Sequence, residues 1–266
     1  MNFTYGIELE IADIMRDEIV LPKGCKWAIE ERAVCNSDGS AWDCRKTSSF
    51  LKGGEINTPP TESVAEQVKV VEKCLKLAEE NIAKNGGNPL NYRTLLHTHV
   101  GIPKEDITLE NLKKLQNYGF KYLDRMKEIT GYKQLDLPMR VYNTTGARNC
   151  AEWKNEHLMN AKDVDGFREA YFFNKAGKKA HITFYRQGFN VYSLFKHGTV
   201  EFRLFWQSMD IAQMKTALEF SSVIMEDALG KQDSFDQIEE YYTGANFPPH
   251  LPYDEKMEEV FQNTKW

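Results

Sequence analysis

Apolar and polar positions alternate from the start of the chain: Phe3, Tyr5, Ile7, Leu9 and Ile11 are separated by Thr4, Gly6, Glu8 and Glu10. Successive side chains of an extended chain point to opposite sides, so a period of two predicts a strand with one buried face. Residues 12–57 read as irregular, with turn signals at Pro22-Lys23-Gly24 and Asn36-Ser37-Asp38-Gly39-Ser40. A short strand over Gly54–Asn57 follows, and Pro59-Pro60 stops it.

The period then lengthens. Val64, Val68, Val71, Leu75, Ala78 and Ile82 fall on one face of a helix over about 62–84, with Ser63 and Glu66 as a capping box and Gly86-Gly87 as a stop. Leu112, Leu115, Tyr122, Met126 and Ile129 predict a second helix over about 109–130, between Thr108 and Gly131. Ile211, Met214, Leu218, Met225 and Leu229 predict a third over about 210–229. More strands are predicted at Thr94–Ile102, His181–Gln187, Phe189–Leu194 and Thr199–Phe205. There is no β-α-β-α alternation and no glycine-rich strand-to-helix turn, so the class is α+β with a mainly antiparallel sheet. Residues 141–180 are the least readable; Arg148, Trp153, His157 and Tyr171-Phe172-Phe173 fall on a helix or an insertion.

Composition narrows the class without naming a function. The 266 residues are 41% hydrophobic and 27% charged, which excludes collagen-like, disulfide-knot, coiled-coil and integral-membrane chains. A net charge of −5 disfavours a binder of duplex nucleic acid, which needs a basic face. The charge is uneven: residues 226–266 hold ten acids and three lysines, so the rest is slightly positive and suited to an anionic ligand. The acidic segment reads as a solvated face. No run of about 18 apolar residues is present and Met1–Tyr5 does not look like a secretory leader, so a cytoplasmic protein with no membrane partner is expected. The five cysteines contain no C-x-x-C and read as free thiols; the spacing of Cys25, Cys35 and Cys44 matches no common zinc pattern.

The polar sides of three strands carry the chemistry. Glu8 and Glu10 share a face opposite Ile7 and Leu9; His97 and His99 share one opposite Leu96, Thr98 and Val100; Glu201 and Arg203 share one opposite Val200, Phe202 and Leu204. Any one of these pairs alone is ordinary strand surface. All three together, each opposite an apolar face, gather carboxylates, imidazoles and a guanidinium on one side of a sheet. Clustered carboxylates are costly without a cation, and oxygen ligands with imidazole suit Mg²⁺ or Mn²⁺. A planar guanidinium beside them suits a phosphate.

Six short segments in order carry a resemblance: Gly6-Ile7-Glu8-Leu9-Glu10, Asp38-Gly39-Ser40, Gly54-Glu55-Ile56-Asn57-Thr58-Pro59-Pro60, His97-Thr98-His99-Val100, Phe189-Asn190-Val191 and Gly198-Thr199-Val200-Glu201-Phe202-Arg203. In them the chain resembles the amidoligase family, which is similar to glutamate–cysteine ligase and glutamine synthetase. The resemblance implies a curved antiparallel sheet of about six strands, helices on its convex face, and ATP with Mg²⁺ on the concave face. It implies Glu8, His97 and Glu201 as ligands of the metal that bridges the ATP phosphates, and Glu10, helped by Glu55, at a second metal. It puts His99 and Arg203 on phosphate, and Asp38, Ser40, Asn57 and Asn190 on the substrate side or in positioning. The chain departs from the family pattern at Asn57-Thr58 and over Leu204–Asp210.

The implied reaction joins a carboxylate substrate to an amine substrate. The carboxylate attacks the γ-phosphorus of ATP, the amine attacks the resulting acyl phosphate, and an amide and phosphate leave. Arg203 would neutralise developing charge, and Glu55 or Asp38 is the candidate base. Arg140 and Arg186 are candidate anchors for a substrate carboxylate. An ATP-dependent phosphotransferase of guanidino-kinase type, an inactive nucleotide-binding protein and a metal-only hydrolase stay open. One catalytic domain over 1–266, with an acidic segment from about 226, is expected; acid, amine and oligomeric state are not readable.

Overall fold

The first strand is longer than the alternation alone implies, because its buried face continues past Ile11. In the computed structural model, which describes residues 2–28, 34–35, 41–42, 52–90, 94–132, 152–172, 188–230 and 233–249, β1 runs Thr4–Ile14. Two short strands, β2 (Lys26–Trp27) and β5 (Lys52–Asn57), lie to one side of it, and a separate two-stranded ribbon joins β3 (Val34–Cys35) to β4 (Ala41–Trp42). On the other side come β6 (Leu95–Gly101), β8 (Thr199–Trp206) and β7 (Phe189–Asn190). The order β2-β5-β1-β6-β8-β7 is an open six-stranded sheet, and the pairings along it are antiparallel.

Seven helices stand among the described residues: α1 (Val64–Asn85), α2 (Leu109–Thr130), α3 (Glu152–Met159), α4 (Val164–Ala170), α5 (Leu194–His197), α6 (Ile211–Leu229) and α7 (Phe235–Tyr242). The caps are those the sequence predicts. Ser63 Oγ accepts from Glu66 N at 3.2 Å, and Thr108 Oγ1 from Asn111 N at 3.2 Å. Gly131 ends α2 in the left-handed region at φ 65°, where a side chain is strained. The capping box differs in one respect: Glu66 reaches back to the N–H of Glu62.

Helices α1, α6 and α2 pack on β1, β6 and β8. They cover the face that holds Ile7, Leu9, Leu96, Val100, Val200 and Phe202, all buried. Each such side chain contributes about 1.5–3 kcal/mol. Two hydroxyl pairs mark the same contact: Tyr5 Oη with Ser222 Oγ at 2.8 Å, and Thr98 Oγ1 with Ser221 Oγ at 2.6 Å. The opposite face of the sheet is left to the polar residues.

Three expectations change. The strand predicted over Phe189–Leu194 stops at Asn190 and becomes a 3-10 turn (Val191–Ser193) and then α5. The apolar residues there pack as aromatics, Tyr192 meeting Tyr171, Phe172 and Phe195, rather than as a sheet face. The least readable stretch holds α3 and α4, so Trp153 and His157 are helical. The acidic segment is more than solvated face: Phe235, Ile238 and Tyr242 are buried, and buried Asp227 accepts hydrogen bonds from Tyr118 Oη and Ser234 N. Arg148, Phe173 and the strand expected at 181–187 lie outside the described residues. No helix among the described residues is long and apolar enough to cross a membrane.

Candidate functional site

Cross-strand register decides which polar residues meet. Glu8 on β1 faces Asn57 on β5 and His97 on β6. One pair further along, Gly6 faces His99, His99 faces Glu201 on β8, and Glu201 faces Asn190 on β7. Directly opposed residues lie on one side of a sheet, so two adjacent rows bring Glu8, His97, His99, Glu201 and Asn190 together. Arg203 joins them from the strand that carries Glu201.

The contacts are specific. His97 Nδ1 lies 2.9 Å from Glu8 Oε2 and 3.7 Å from Glu201 Oε1. His99 Nδ1 hydrogen-bonds Thr199 Oγ1 at 2.9 Å, and its Nε2 lies 3.2 Å from Glu8 Oε1, off the line of a hydrogen bond. Glu201 accepts from Asn190 Nδ2 at 2.7 Å and from Arg203 Nη1. His97 Nε2, His99 Nε2, Asn190 Oδ1 and Arg203 Nε are buried without a hydrogen-bond partner among the described residues.

The electrostatics follow from crowding. Burial works to raise the Glu8 carboxyl, but the hydrogen bond with His97 and the close approach and charge of both imidazoles outweigh it and hold the group well below its ordinary range. Burial would likewise lower His99; the close approach of Glu8 and the charges of Glu8 and Glu201 raise it instead. Burial also opposes ionisation of Glu201, and the Arg203 guanidinium, then His97 and His99, keep it low. Both carboxylates are thus anionic at neutral pH.

A divalent cation fits this set. Glu8, His99 and Glu201 each offer one ligand atom, and the three atoms lie within 4.8 Å of one another. Two carboxylates and an imidazole suit Mg²⁺ or Mn²⁺. The His99 Nε2 without a hydrogen-bond partner is the donor such an ion would take. The converging trio contains His99 where the sequence pointed to His97; His97 stands beside it, bonded to Glu8 through Nδ1.

The other expected residues divide. Glu10 lies opposite Glu55 on β5 and accepts from Leu95 N at 3.0 Å, so these two acids form a third row beyond the trio. Asn57 sits beside Glu8. Asp38, Ser40, Arg140 and Arg186 lie outside the described residues.

Three neighbours were missed. Thr199 shares the parity of Glu201 and Arg203, and that signal was in the sequence. Trp206 has the parity of the apolar face, yet β8 carries one extra residue between Phe202 and Phe205 relative to β6, and this bulge sets Trp206 opposite Leu95 on the polar side. Tyr132 stacks on Trp206, with ring centroids 5.6 Å apart and planes 18° from parallel. Burial raises its phenol, while nearby Arg203 lowers it and Glu10 raises it.

No family model and no curated protein matches the chain. Solved structures do. A bifunctional glutathione synthetase from Pasteurella multocida superposes with a TM-score of 0.42 and 10% identity, over 95% of this chain and 41% of that one. A glutamate–cysteine ligase from Francisella tularensis, in complex with AMP, superposes with a TM-score of 0.45 and 11% identity, over 95% of this chain and 72% of that one. The chain therefore spans less than half of the first structure. Neither superposition reaches a TM-score of 0.5, so neither bears on what this chain does.

Proposed function

We propose that the chain is an ATP-dependent carboxylate–amine ligase of amidoligase type, forming an amide through an acyl phosphate. The observation that carries the reading is the convergence of Glu8, His99 and Glu201 within 4.8 Å on the sheet face opposite the helices, beside Arg203. Glu8, His99 and Glu201 would hold Mg²⁺ or Mn²⁺, with His97 orienting Glu8. The ion, when bound, supplies charge neutralisation for phosphoryl oxygens. Arg203 is held by Glu201, and its Nε, which has no partner among the described residues, is the donor we assign to the transferred phosphoryl group. Asn190 fixes the other Glu201 oxygen, which keeps that carboxylate from rotating as charge moves. Glu10 and Glu55 border the acceptor side, where Glu55, or Asp38 outside the described residues, takes a proton from the attacking amine. Ser40 is assigned to the nucleotide side.

Hydroxylamine trapping tests the reading. The protein is incubated with ATP, Mg²⁺, hydroxylamine and a panel of carboxylates. A hydroxamate formed with stoichiometric ADP and phosphate is the expected result. A phosphorylated acceptor with no hydroxamate would make the chain a phosphotransferase. No Mg²⁺-dependent ATP binding by calorimetry would make it neither.

A further inference from the structure

Two of the five cysteines meet across a long stretch of chain. The Sγ of Cys25 lies 3.7 Å from that of Cys74, 49 positions away, and both are free thiols. Cys74 stands on α1, fully buried within the core. Cys25 is half-buried at the end of a tight turn whose Lys23 and Gly24 are exposed. In that turn Gly24 sits at φ 88°, and the Cys25 N–H donates to Pro22 O at 3.0 Å. The turn leads directly into β2, the outermost strand on its side of the sheet.

The edge strand is short, and its Trp27 packs against the core. It spans two residues, Lys26 opposite Asn57 and Trp27 opposite Ile56, and is extended by Ala28 N donating to Glu55 O at 2.8 Å. The only group of three or more metal-ligating side chains among the described residues is Glu8, His99 and Glu201, so among those residues the two sulfurs join no larger ligand set.

We propose that Cys25 and Cys74 are a redox-modification site, which takes an intramolecular disulfide that fastens the edge strand to α1. Closing the bond brings the sulfurs from 3.7 Å to about 2.05 Å, a shift that rotation at Cys25 and its surface turn can supply while α1 stays fixed. The oxidant is a small disulfide such as oxidised glutathione. The Cys25 thiolate attacks it, one glutathione leaves as a thiolate, and Cys25 carries the other as a mixed disulfide. The Cys74 thiolate then attacks the Cys25 sulfur and expels the second glutathione. Two protein thiols and one glutathione disulfide become one protein disulfide and two glutathione thiols, with two electrons passing from protein to oxidant. Burial pushes both thiols up, so the exchange is slow at neutral pH and quickens in alkali. The proposal is independent of the ligase reading, since mass and melting temperature report it.

The test treats the full chain with oxidised glutathione, blocks remaining thiols with iodoacetamide and maps peptides by mass. Two further proteins are treated in parallel: Cys25→Ser, and a triple variant Cys35→Ser/Cys44→Ser/Cys150→Ser that keeps only the pair. The expected result is a Cys25–Cys74 linked peptide in the wild type and the triple variant but not in Cys25→Ser. Tm should rise by roughly 5–10 °C, reversed by dithiothreitol. Linkage to Cys35, Cys44 or Cys150, a lasting glutathione adduct at Cys25, unmodified thiols, or a linked protein with unchanged Tm would each overturn it.

Discussion

Glu201 carries obligations in two directions. Arg203 and Asn190 hold its oxygens, and its carboxylate also belongs to the trio that fits a cation. The Arg203 side chain is 15% exposed, so removing the Glu201 charge leaves a largely buried guanidinium without its partner. Glu201→Gln is expected to lose about 3 kcal/mol of stability in urea unfolding, as well as nearly all turnover. Glu8 is more open, with 24% of its side chain exposed, and the side chains it touches are imidazoles and not a guanidinium. Glu8→Gln should therefore lose turnover to a similar degree and less than half as much stability; equal losses in the two variants would sink this division of roles. Arg203→Lys tests the guanidinium separately. An ammonium can pair with Glu201 but offers no second edge to a phosphate, so hydroxamate formation should fall by at least about 100-fold with the melting temperature nearly unchanged.

Elements couple the site to the core. A Cβ at Gly119 on α2 would come within 2.4 Å of Phe189 Cδ1, and Phe189 is fully buried on β7 beside Asn190. Gly119→Ala adds helix propensity of about 1 kcal/mol but forces that ring to move, at a cost of about 1–3 kcal/mol. We expect a net loss of stability on denaturant titration, together with weakened activity, because Asn190 shifts with Phe189. A stabilised Gly119→Ala protein would show that the ring moves freely. This level also marks what the sequence could and could not reveal. Helices α1, α2 and α6 were legible because each apolar stripe repeats over five or six turns, and β1, β6 and β8 because alternation sorts their side chains. Trp206 was not, because a single extra residue in β8 inverts parity and only pairing with β6 reveals it. Nor was Tyr132, which reaches the site from beyond the end of α2 by stacking. The meeting of Cys25 and Cys74 was equally hidden, since no periodicity links a turn to a helix.

Across the whole molecule, α7 is docked by charge around an apolar seam. Phe235 stacks on Tyr122 with ring centroids 4.1 Å apart, while Arg125 pairs with Asp236 and Glu239, and Lys121 with Asp233. Hydrogen bonds from Arg125 hold the Glu239 carboxyl below its ordinary range, and those from Lys121 and Tyr122 do the same for Asp233. A group whose folded value is depressed stabilises the fold above its unfolded value and stops doing so as pH falls through the folded one. Melting temperature should thus fall on acidification below about pH 4.5, and Arg125→Ala should flatten that limb. An identical acid limb in the variant would remove α7 docking as its cause. The strand order has a consequence of another kind. β6 follows β1 and β5 in the sequence, but the neighbour on its far side, β8, is made about a hundred residues later. A nascent chain that has emerged only through α2 can pair β5, β1 and β6, yet it displays the far edge of β6, with His97 and His99, to the ribosome surface and to other chains. Until β8 arrives there is neither Glu201 nor Arg203, so synthesis must pass residue 203 before the site exists at all.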